Sequence, residues 1–267
     1  MKKYYFAALV IVALSTINLA CVRSPQSPSE TPQPIASPDN QFPRQRISLP
    51  DRVEPGSEFD AFRSRLRQAV RDRDVEFVKA LIPDQGVALG FGAPISREAF
   101  DDIDTGVGKT VWSLLEHAIA IGCDVSVPQD YPTVDENTLV YTCPNTTSEF
   151  YRQYPPPKDA EGVSYEMSRV IVVGENVNVH EQADSNSAVI NTLSNEIVEL
   201  DRATLENLSE EERMALFEMP EGWTPVILPD DKSGYVSNRY AYFPLGTRAV
   251  FGKVDGQWQL LDMPGGD

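Results

Sequence analysis

The stretch "VNVHEQADSNSAVINTL", Val177 to Leu193, decides how the second half of this chain folds. Two valines flank Asn178, a run of small polar residues follows, and the apolar pair Val189 and Ile190 comes next. Helices disfavour this composition, because β-branched side chains lose rotamer freedom there and Ser, Asp and Asn compete for backbone hydrogen bonds. The stretch therefore predicts two strands that are joined by a polar loop.

The same strand-rich pattern extends over residues 166–243 and is interrupted by a helical insertion at 203–220. Within the insertion, Ser209 and Glu212 have the Ser-x-x-Glu spacing of a capping box, which predicts a short acidic helix. The segment "DKSG", Asp231 to Gly234, predicts a turn between two further strands.

These motifs, in this order, resemble the bacterial SH3 (SH3b) family. The matching residues are Val177, Asn178, Val179, Ser187, Val189, Ile190, Leu193, Trp223, Val226, Gly234, Tyr235, Val236 and Tyr240. The chain departs from the family pattern at His180, where Arg is usual, at Asn195-Glu196, where Gly is usual, and in the insertion at 203–220. The resemblance implies a small SH3-like β-barrel over residues 166–243.

The resemblance also implies a site for cell-wall peptide (peptidoglycan) or for a protein partner of the cell envelope. Its predicted contact residues are Asn178, Trp223, Tyr235 and Tyr240, since aromatic side chains line the peptide grooves of SH3 domains. Trp223 and Tyr235 fit a place in the barrel core as well, so both interpretations stay open. We expect Asn178 to fix the following loop through side-chain to backbone hydrogen bonds.

The beginning of the chain predicts export. Residues 1–20 carry Lys2 and Lys3 followed by a short apolar run, as in a secretory signal peptide. Ala20-Cys21 resembles the lipobox of bacterial lipoproteins, although Asn18 stands where that family prefers Leu. The resemblance implies lipidation at Cys21 and a membrane-anchored protein in the cell envelope or periplasm. Plain secretion and an uncleaved anchor are the alternatives.

A Pro- and Ser-rich segment over residues 21–54 predicts a disordered tether, because it holds too few apolar residues to bury. Beyond Cys21, the only cysteines are Cys123 and Cys143. In an exported chain this even pair predicts a disulfide, and two free thiols are the alternative.

Residues 55–160 predict an α+β domain. Helical spacing of apolar residues runs through 57–82 and 110–121, and "TLVYTC" at 138–143 alternates as a strand. Residues 244–267 carry a hairpin signal at Asp255-Gly256, and we expect them to pair with "TLVYTC" and complete this domain. The predicted fold is thus an α+β N-terminal domain, then an SH3-like barrel, with a C-terminal β-hairpin.

Arginines are frequent in the first predicted helix, at positions 63, 65, 67, 71 and 73. Such a run is typical of a solvated helix face with acidic partners nearby. The other interpretation is a binding patch for an acidic glycan or another protein.

The composition and motifs exclude several functions. A net charge of −17 opposes nucleic-acid binding, which needs a basic face. "DTGVGKTVW" at 104–112 resembles a phosphate-binding loop, but Ile103 stands where the first Gly of that motif is needed. The two histidines, His117 and His180, predict no catalytic group, metal site or cofactor. We therefore expect a non-enzymatic binding protein, with a structural scaffold or a cell-wall hydrolase with its site in the α+β domain as alternatives.

Overall fold

The computed structural model describes residues 44–213, Leu216 and residues 221–265, all of which belong to one compact unit. The predicted signal peptide, Cys21 and most of the predicted tether lie outside the described residues. None of the helices in the described part of the chain is long and apolar enough to cross a membrane.

The structure is mixed α+β with two antiparallel sheets. The helices are α1 (Glu58–Asp72), α2 (Val75–Ala80), a 3-10 helix (Arg97–Phe100), α3 (Gly106–Ile119), α4 (Thr146–Gln153), α5 (Ser164–Met167), α6 (Arg202–Glu206) and α7 (Glu210–Arg213). The strands are β1 (Gln45–Arg46), β2 (Asp124–Ser126), β3 (Val140–Cys143), β4 (Arg169–Val172), β5 (Val177–His180), β6 (Val189–Leu193), β7 (Glu196–Leu200), β8 (Trp223–Ile227), β9 (Ser233–Ser237), β10 (Ala241–Tyr242), β11 (Ala249–Val254) and β12 (Gln257–Asp262).

Side-chain caps explain why the first helices begin where they do. Ser57 accepts a hydrogen bond from the backbone N–H of Asp60 at the start of α1, and Asp74 accepts one from Phe77 at the start of α2. Such caps satisfy N–H groups that have no partner within the helix. The apolar spacing of residues 57–82 therefore corresponds to two capped helices.

The first sheet has the strand order β12-β11-β3-β2 and carries α1 and α3 against it. β11 pairs antiparallel with β3, with Phe251 opposite Tyr141, so the predicted pairing with "TLVYTC" is present. The hairpin between β11 and β12 turns at Asp255 and Gly256, whose φ angles of 51° and 73° suit a two-residue turn of this kind. The division of the chain into domains at the predicted boundaries stays a prediction.

Aromatic side chains fill the core between α1 and the first sheet. Phe59 and Phe62 of α1 are 1% and 2% exposed. Trp258 of β12 stacks on Phe62 with ring centroids 5.1 Å apart, and Tyr141 of β3 stacks on Phe59 at 3.7 Å. The β11–β12 hairpin thus supplies part of the surface that buries α1.

A disulfide joins Cys123 and Cys143, as predicted, and both residues are fully buried. The two cysteines lie at the same end of the neighbouring strands β2 and β3, with Cα atoms 4.3 Å apart. The bond therefore fixes the edge strand β2 to the rest of the first sheet.

The second sheet contains the segment that resembles the SH3b family. Its strands follow the order β10-β4-β7-β8-β9-β5-β6, and β1 pairs with β7 off this path. Among the described residues, β6 pairs only with β5 and β10 only with β4, so the sheet is open. The prediction of a closed SH3-like barrel is wrong in this respect, although aliphatic side chains from its strands still form a common core.

The folded part of the chain includes the last residues of the predicted tether, which spans residues 21–54. β1 pairs with β7, and Ile47 is 3% exposed in a cluster with Phe150 and Tyr242. Val53 is buried in the core beside α1. Residues 44–54 are thus part of the folded unit, because they contribute apolar side chains and strand hydrogen bonds that the Pro/Ser composition obscures.

The arginines of α1 divide into structural and exposed members. Arg63 is 5% exposed and lies 2.7 Å from a carboxylate oxygen of Asp51. Arg67 donates hydrogen bonds to the backbone oxygens of Ile119 and Ile121, at 2.6 and 2.8 Å. These two arginines hold α1 against neighbouring segments, so the run is not a uniformly solvated face.

Helix α3 begins at Gly106, within the segment that resembles a phosphate-binding loop. A Cβ atom at Gly108 would lie 1.8 Å from the backbone oxygen of Asp102, so this Gly is needed for close packing. The glycines of "DTGVGKTVW" therefore serve the start of a helix. The helical spacing over residues 110–121 thus corresponds to a helix that starts four residues earlier, at Gly106.

The predicted insertion at 203–220 contains α6 and α7, and residues 214–215 and 217–220 lie outside the described residues. Ser209 and Glu212 form the predicted capping box, since the Ser209 N–H donates to Glu212 Oε2 at 2.9 Å and the Glu212 N–H donates to Ser209 Oγ at 3.2 Å. Asp201 caps α6 by accepting from Thr204.

Candidate functional site

An open groove of about 670 Å³ lies at one end of the second sheet. We call it the aromatic groove. It is lined by Gly174, Glu175, Asn176, Val177, Asn178, His180, Ala183, Asp184, Ser185, Glu221, Trp223, Ser237, Arg239 and Tyr240. These residues come from the β4–β5 turn, from β5, from the loop after β5 and from the segments that flank β8 and β9.

The groove brings together three of the four predicted contact residues, which are Asn178, Trp223 and Tyr240. Asn178 points outward from β5 between two buried valines, and Tyr240 is 46% exposed. Trp223 is half-buried at the start of β8. Tyr235 does not line the groove, because it lies in the middle of β9 opposite Pro225.

The ring of Trp223 packs against the ring of His180. The two rings meet edge to face, with centroids 5.1 Å apart, and His180 is 7% exposed. Edge-to-face contacts of this kind are favoured by the ring quadrupoles. The position where the family pattern has Arg is therefore used here to support the indole ring.

The loop after β5 is tied down by residues other than Asn178. His180 Nδ1 lies 3.2 Å from the backbone oxygen of Ser187. The Ser187 hydroxyl donates to the backbone oxygen of Gln182 and accepts from its N–H. No side-chain hydrogen bond of Asn178 to this loop occurs among the described residues, so the expectation that Asn178 fixes the loop is wrong, and its amide is left at the groove surface.

Tyr240 is positioned by the turn between β4 and β5. Its backbone oxygen accepts from the Val173 N–H at 2.8 Å, and its ring lies against Gly174, where a Cβ atom would be 3.6 Å from Tyr240 Cδ1. Gly174 has a φ angle of 131°, which a residue with a side chain rarely adopts. The Gly therefore shapes the wall on which the Tyr240 ring rests.

Gly234 of the "Gly-Tyr-Val" motif is required by the close approach of β9 to β5. A Cβ atom there would lie 2.7 Å from Val179 Cγ1 and 3.0 Å from the backbone oxygen of His180. The motif thus sets the distance between the two strands beneath the groove. Gly234, Tyr235 and Val236 do not line the groove.

Charged side chains stand around the rim of the groove. Glu175, Asp184 and Glu221 are exposed and acidic, and Arg239 is exposed and basic. Together with the amide of Asn178, they offer acceptors for amino groups and a donor for a carboxylate. Such a surface suits a short peptide, which carries both kinds of group as well as apolar parts.

The sequence did not identify His180, Arg239 or the three acidic rim residues as part of the site. His180 occupies a motif position, and that position was the available indication. The rim residues come from four separate segments between strands, and only the folded chain brings them together. Within residues 44–213, Leu216 and 221–265, no group of three or more His, Cys, Asp or Glu side chains is arranged to hold a metal ion.

In comparisons with known proteins, no protein-family model, curated protein or solved structure matches the chain.

Proposed function

We propose that this chain is an exported, non-enzymatic protein of the bacterial cell envelope that binds cell-wall peptide in the aromatic groove. The observation that carries the proposal is the grouping of Asn178, Trp223 and Tyr240 in one open groove. Exposed aromatic rings and an unengaged amide are the groups that hold an extended peptide at a protein surface.

The chemistry of the rim favours a peptide of mixed charge. Cell-wall peptides are short and carry free amino groups together with carboxylates. The carboxylates of Glu175, Asp184 and Glu221 suit the amino groups, and Arg239 suits a carboxylate. Each of these contacts is exposed to water, so we expect weak binding that decreases as salt is added.

Peptidoglycan sedimentation tests the proposal. Purified peptidoglycan is incubated at low salt with the wild-type protein and with Trp223→Ala, and the fraction of protein in the pellet is measured. We expect retention of the wild type and at least a fivefold loss in the variant. Phe91→Ala is the matched control, since Phe91 is the most exposed aromatic residue described, at 84%, and lies outside the groove.

The outcomes separate the alternatives. No retention of the wild type, with a known wall-binding protein retained in parallel, would contradict wall binding. If Trp223→Ala and Tyr240→Ala unfold the second sheet, the two rings serve as core and the protein is a structural scaffold. A protein partner in place of peptidoglycan would be indicated by a crosslink that forms in envelope extracts and is lost in Trp223→Ala.

The envelope location rests on the lipid anchor proposed at Cys21. Mass spectrometry of the mature protein from a bacterial host tests it directly, with a diacylglyceryl mass on an N-terminal Cys21 as the expected result. Cys21→Ala is the control, and it should release the protein from the membrane fraction. A mature chain that begins elsewhere, or that keeps its first 20 residues, would contradict the anchor.

A further inference from the structure

A second cavity, of about 820 Å³, lies where the two sheets meet. We call it the junction cavity. One side is formed by α3 and by the link between β10 and β11, and the other by α5, α6 and the end of β7. Its apolar walls include Leu114, Met167, Leu200, Leu205, Phe243 and Leu245. The volume lies in the range that holds small organic ligands.

A buried carboxylate lines this apolar cavity. Glu166 of α5 is 3% exposed, and its Oε2 atom is buried without a hydrogen-bond partner in the described part of the chain. A buried carboxylate is normally paired with a cation or with several donors, because removal from water disfavours its charge. One oxygen of the Glu166 carboxylate therefore lacks a hydrogen-bond donor.

His117 of α3 lines the same cavity. Its Nε2 atom is also buried without a hydrogen-bond partner among the described residues, and its ring stacks on Tyr242 at 3.9 Å. Burial lowers the pKa of His117 to about 4, so the imidazole is neutral at pH 7. A neutral imidazole leaves one nitrogen as an acceptor, whereas a carboxylate accepts at both oxygens.

We propose that the junction cavity binds a small organic cation, a primary ammonium group on an apolar body, with Glu166 as the partner of the charge. The ammonium group has three N–H donors, and Glu166 Oε2 is a buried acceptor of this cavity that has no donor among the described residues. The apolar body would occupy the space between Leu114, Leu205 and Phe243. The net charge of −17 adds a general attraction for cations.

An anionic ligand fits this cavity less well. Arg202 and Arg213 line it, but both are exposed, so water screens their charges. The charge in the buried part of the cavity is that of Glu166, and it would repel a carboxylate or phosphate.

Three probes that share one apolar body test the proposal on the wild-type protein. These are 2-phenylethylamine, 2-phenylethanol and 3-phenylpropionate, which carry a positive, a neutral and a negative group, and binding is measured by calorimetry and by amide NMR shifts. We expect the amine to bind at least tenfold more tightly than the alcohol, and the acid to bind most weakly. The amide signals of His117 and Glu166 should move with the amine.

Two variants test which carboxylate causes the preference for the amine over the alcohol. Glu166→Gln keeps the shape and removes the charge, so we expect it to abolish the preference for the amine over the alcohol. Glu206→Gln removes a carboxylate that lines the same cavity but is exposed, and it should keep the preference. Trp223→Ala, which tests the aromatic groove, should also leave it unchanged.

Several results would overturn the proposal. Equal affinity for amine and alcohol in the wild type would show that Glu166 does not act as a charge partner, and this comparison requires no variant to fold. Tighter binding of 3-phenylpropionate would show an anion site. Persistence of the amine preference in Glu166→Gln, or NMR shifts confined to the aromatic groove, would place the amine elsewhere.

Discussion

The region around the first sheet and the region around the second place their aromatic residues differently. In the first, Phe59, Phe62 and Phe251 are nearly inaccessible to water and contact Trp258 or each other. In the second, Trp223 and Tyr240 stand at the surface of a groove. Aromatic side chains thus fill the core of the first region, whereas the largest core cluster of the second sheet is aliphatic and the buried ring of Tyr242 lies in a separate cluster.

The core of the second sheet explains the difference. Its fully buried members are all aliphatic, namely Val170, Val172, Val177, Val179, Leu193, Val198, Val226, Leu228, Val236 and Ala241. A small curled sheet encloses little volume, and β-branched residues fill it while they favour the strand conformation. The rings of Trp223 and Tyr240 lie outside this cluster and line the aromatic groove. The first region packs helices against its sheet, and rings fill the space between them.

The largest expected effect is on the aromatic core of the first region. Phe62→Ala removes a ring that contacts Phe59, Phe251 and Trp258, and we expect it to lower the free energy of unfolding by about 3–5 kcal/mol. Trp223→Ala removes a ring at the groove surface, and we expect a loss of less than about 1 kcal/mol. Urea denaturation followed by circular dichroism measures both.

This pair of variants tests whether the aromatic residues of the two regions differ in their contribution to stability. Similar losses for Phe62→Ala and Trp223→Ala would show that the indole ring is a core element and that the groove is not a free surface. Tyr240→Ala provides a further test of the comparison. Tyr240 is the more exposed of the two groove aromatics, so we expect its replacement to lower the free energy of unfolding by the smallest amount.

The second prediction concerns the disulfide bond, which distinguishes the first region from the second. The disulfide between Cys123 and Cys143 lies in the first region, with a sequence separation of 20 residues. Replacing both cysteines by Ser should lower the free energy of unfolding by about 3 kcal/mol, chiefly by freeing the unfolded chain. Reduction with dithiothreitol should reproduce the shift in the wild type and leave the double variant unchanged. An unaltered urea midpoint in both tests would contradict this prediction.

A smaller effect is expected on the pH dependence of stability. The pKa of His117 is lowered by burial from 6.5 to about 4, so the unfolded chain binds a proton between these values and the folded protein does not. Stability is therefore lost as the pH falls, by about 2 kcal/mol between pH 7 and pH 5. The first region, which contains α3, should be the part that loosens.

His117→Gln is the control for the pH effect, because it keeps a polar side chain and removes the titration. Urea midpoints at pH 7, 6 and 5 should fall for the wild type and stay nearly level for the variant. A parallel fall in both proteins would assign the effect to other groups.

Local features of the fold could be predicted from the sequence where neighbouring residues determine them. The capping box of Ser209 and Glu212, the turn at Asp255-Gly256 and the pairing of the two remaining cysteines each depend on a short pattern with a direct physical cause. The pairing of β11 with β3 was also predictable, since two unpartnered strand patterns remained outside the SH3-like segment.

Long-range features were harder to predict. Closure of the second sheet depends on whether its edge strands meet, and no local pattern encodes that. The strand β1 lies in a Pro- and Ser-rich segment, and its partner β7 is about 150 residues away. Of the four predicted contact residues, Tyr235 lies outside the groove, since a motif gives a residue its strand and not its neighbours across the surface.

The pairing of β11 with β3 also sets an order of events during synthesis. α1 is synthesised long before residues 249–262. Until those residues are made, the rings of Phe59 and Phe62 in α1 are not covered by the indole of Trp258. Every strand of the second sheet except β1, which precedes α1, is made in that interval. The first region is therefore begun early and completed last, and until then the apolar face of α1 lacks part of the surface that buries it.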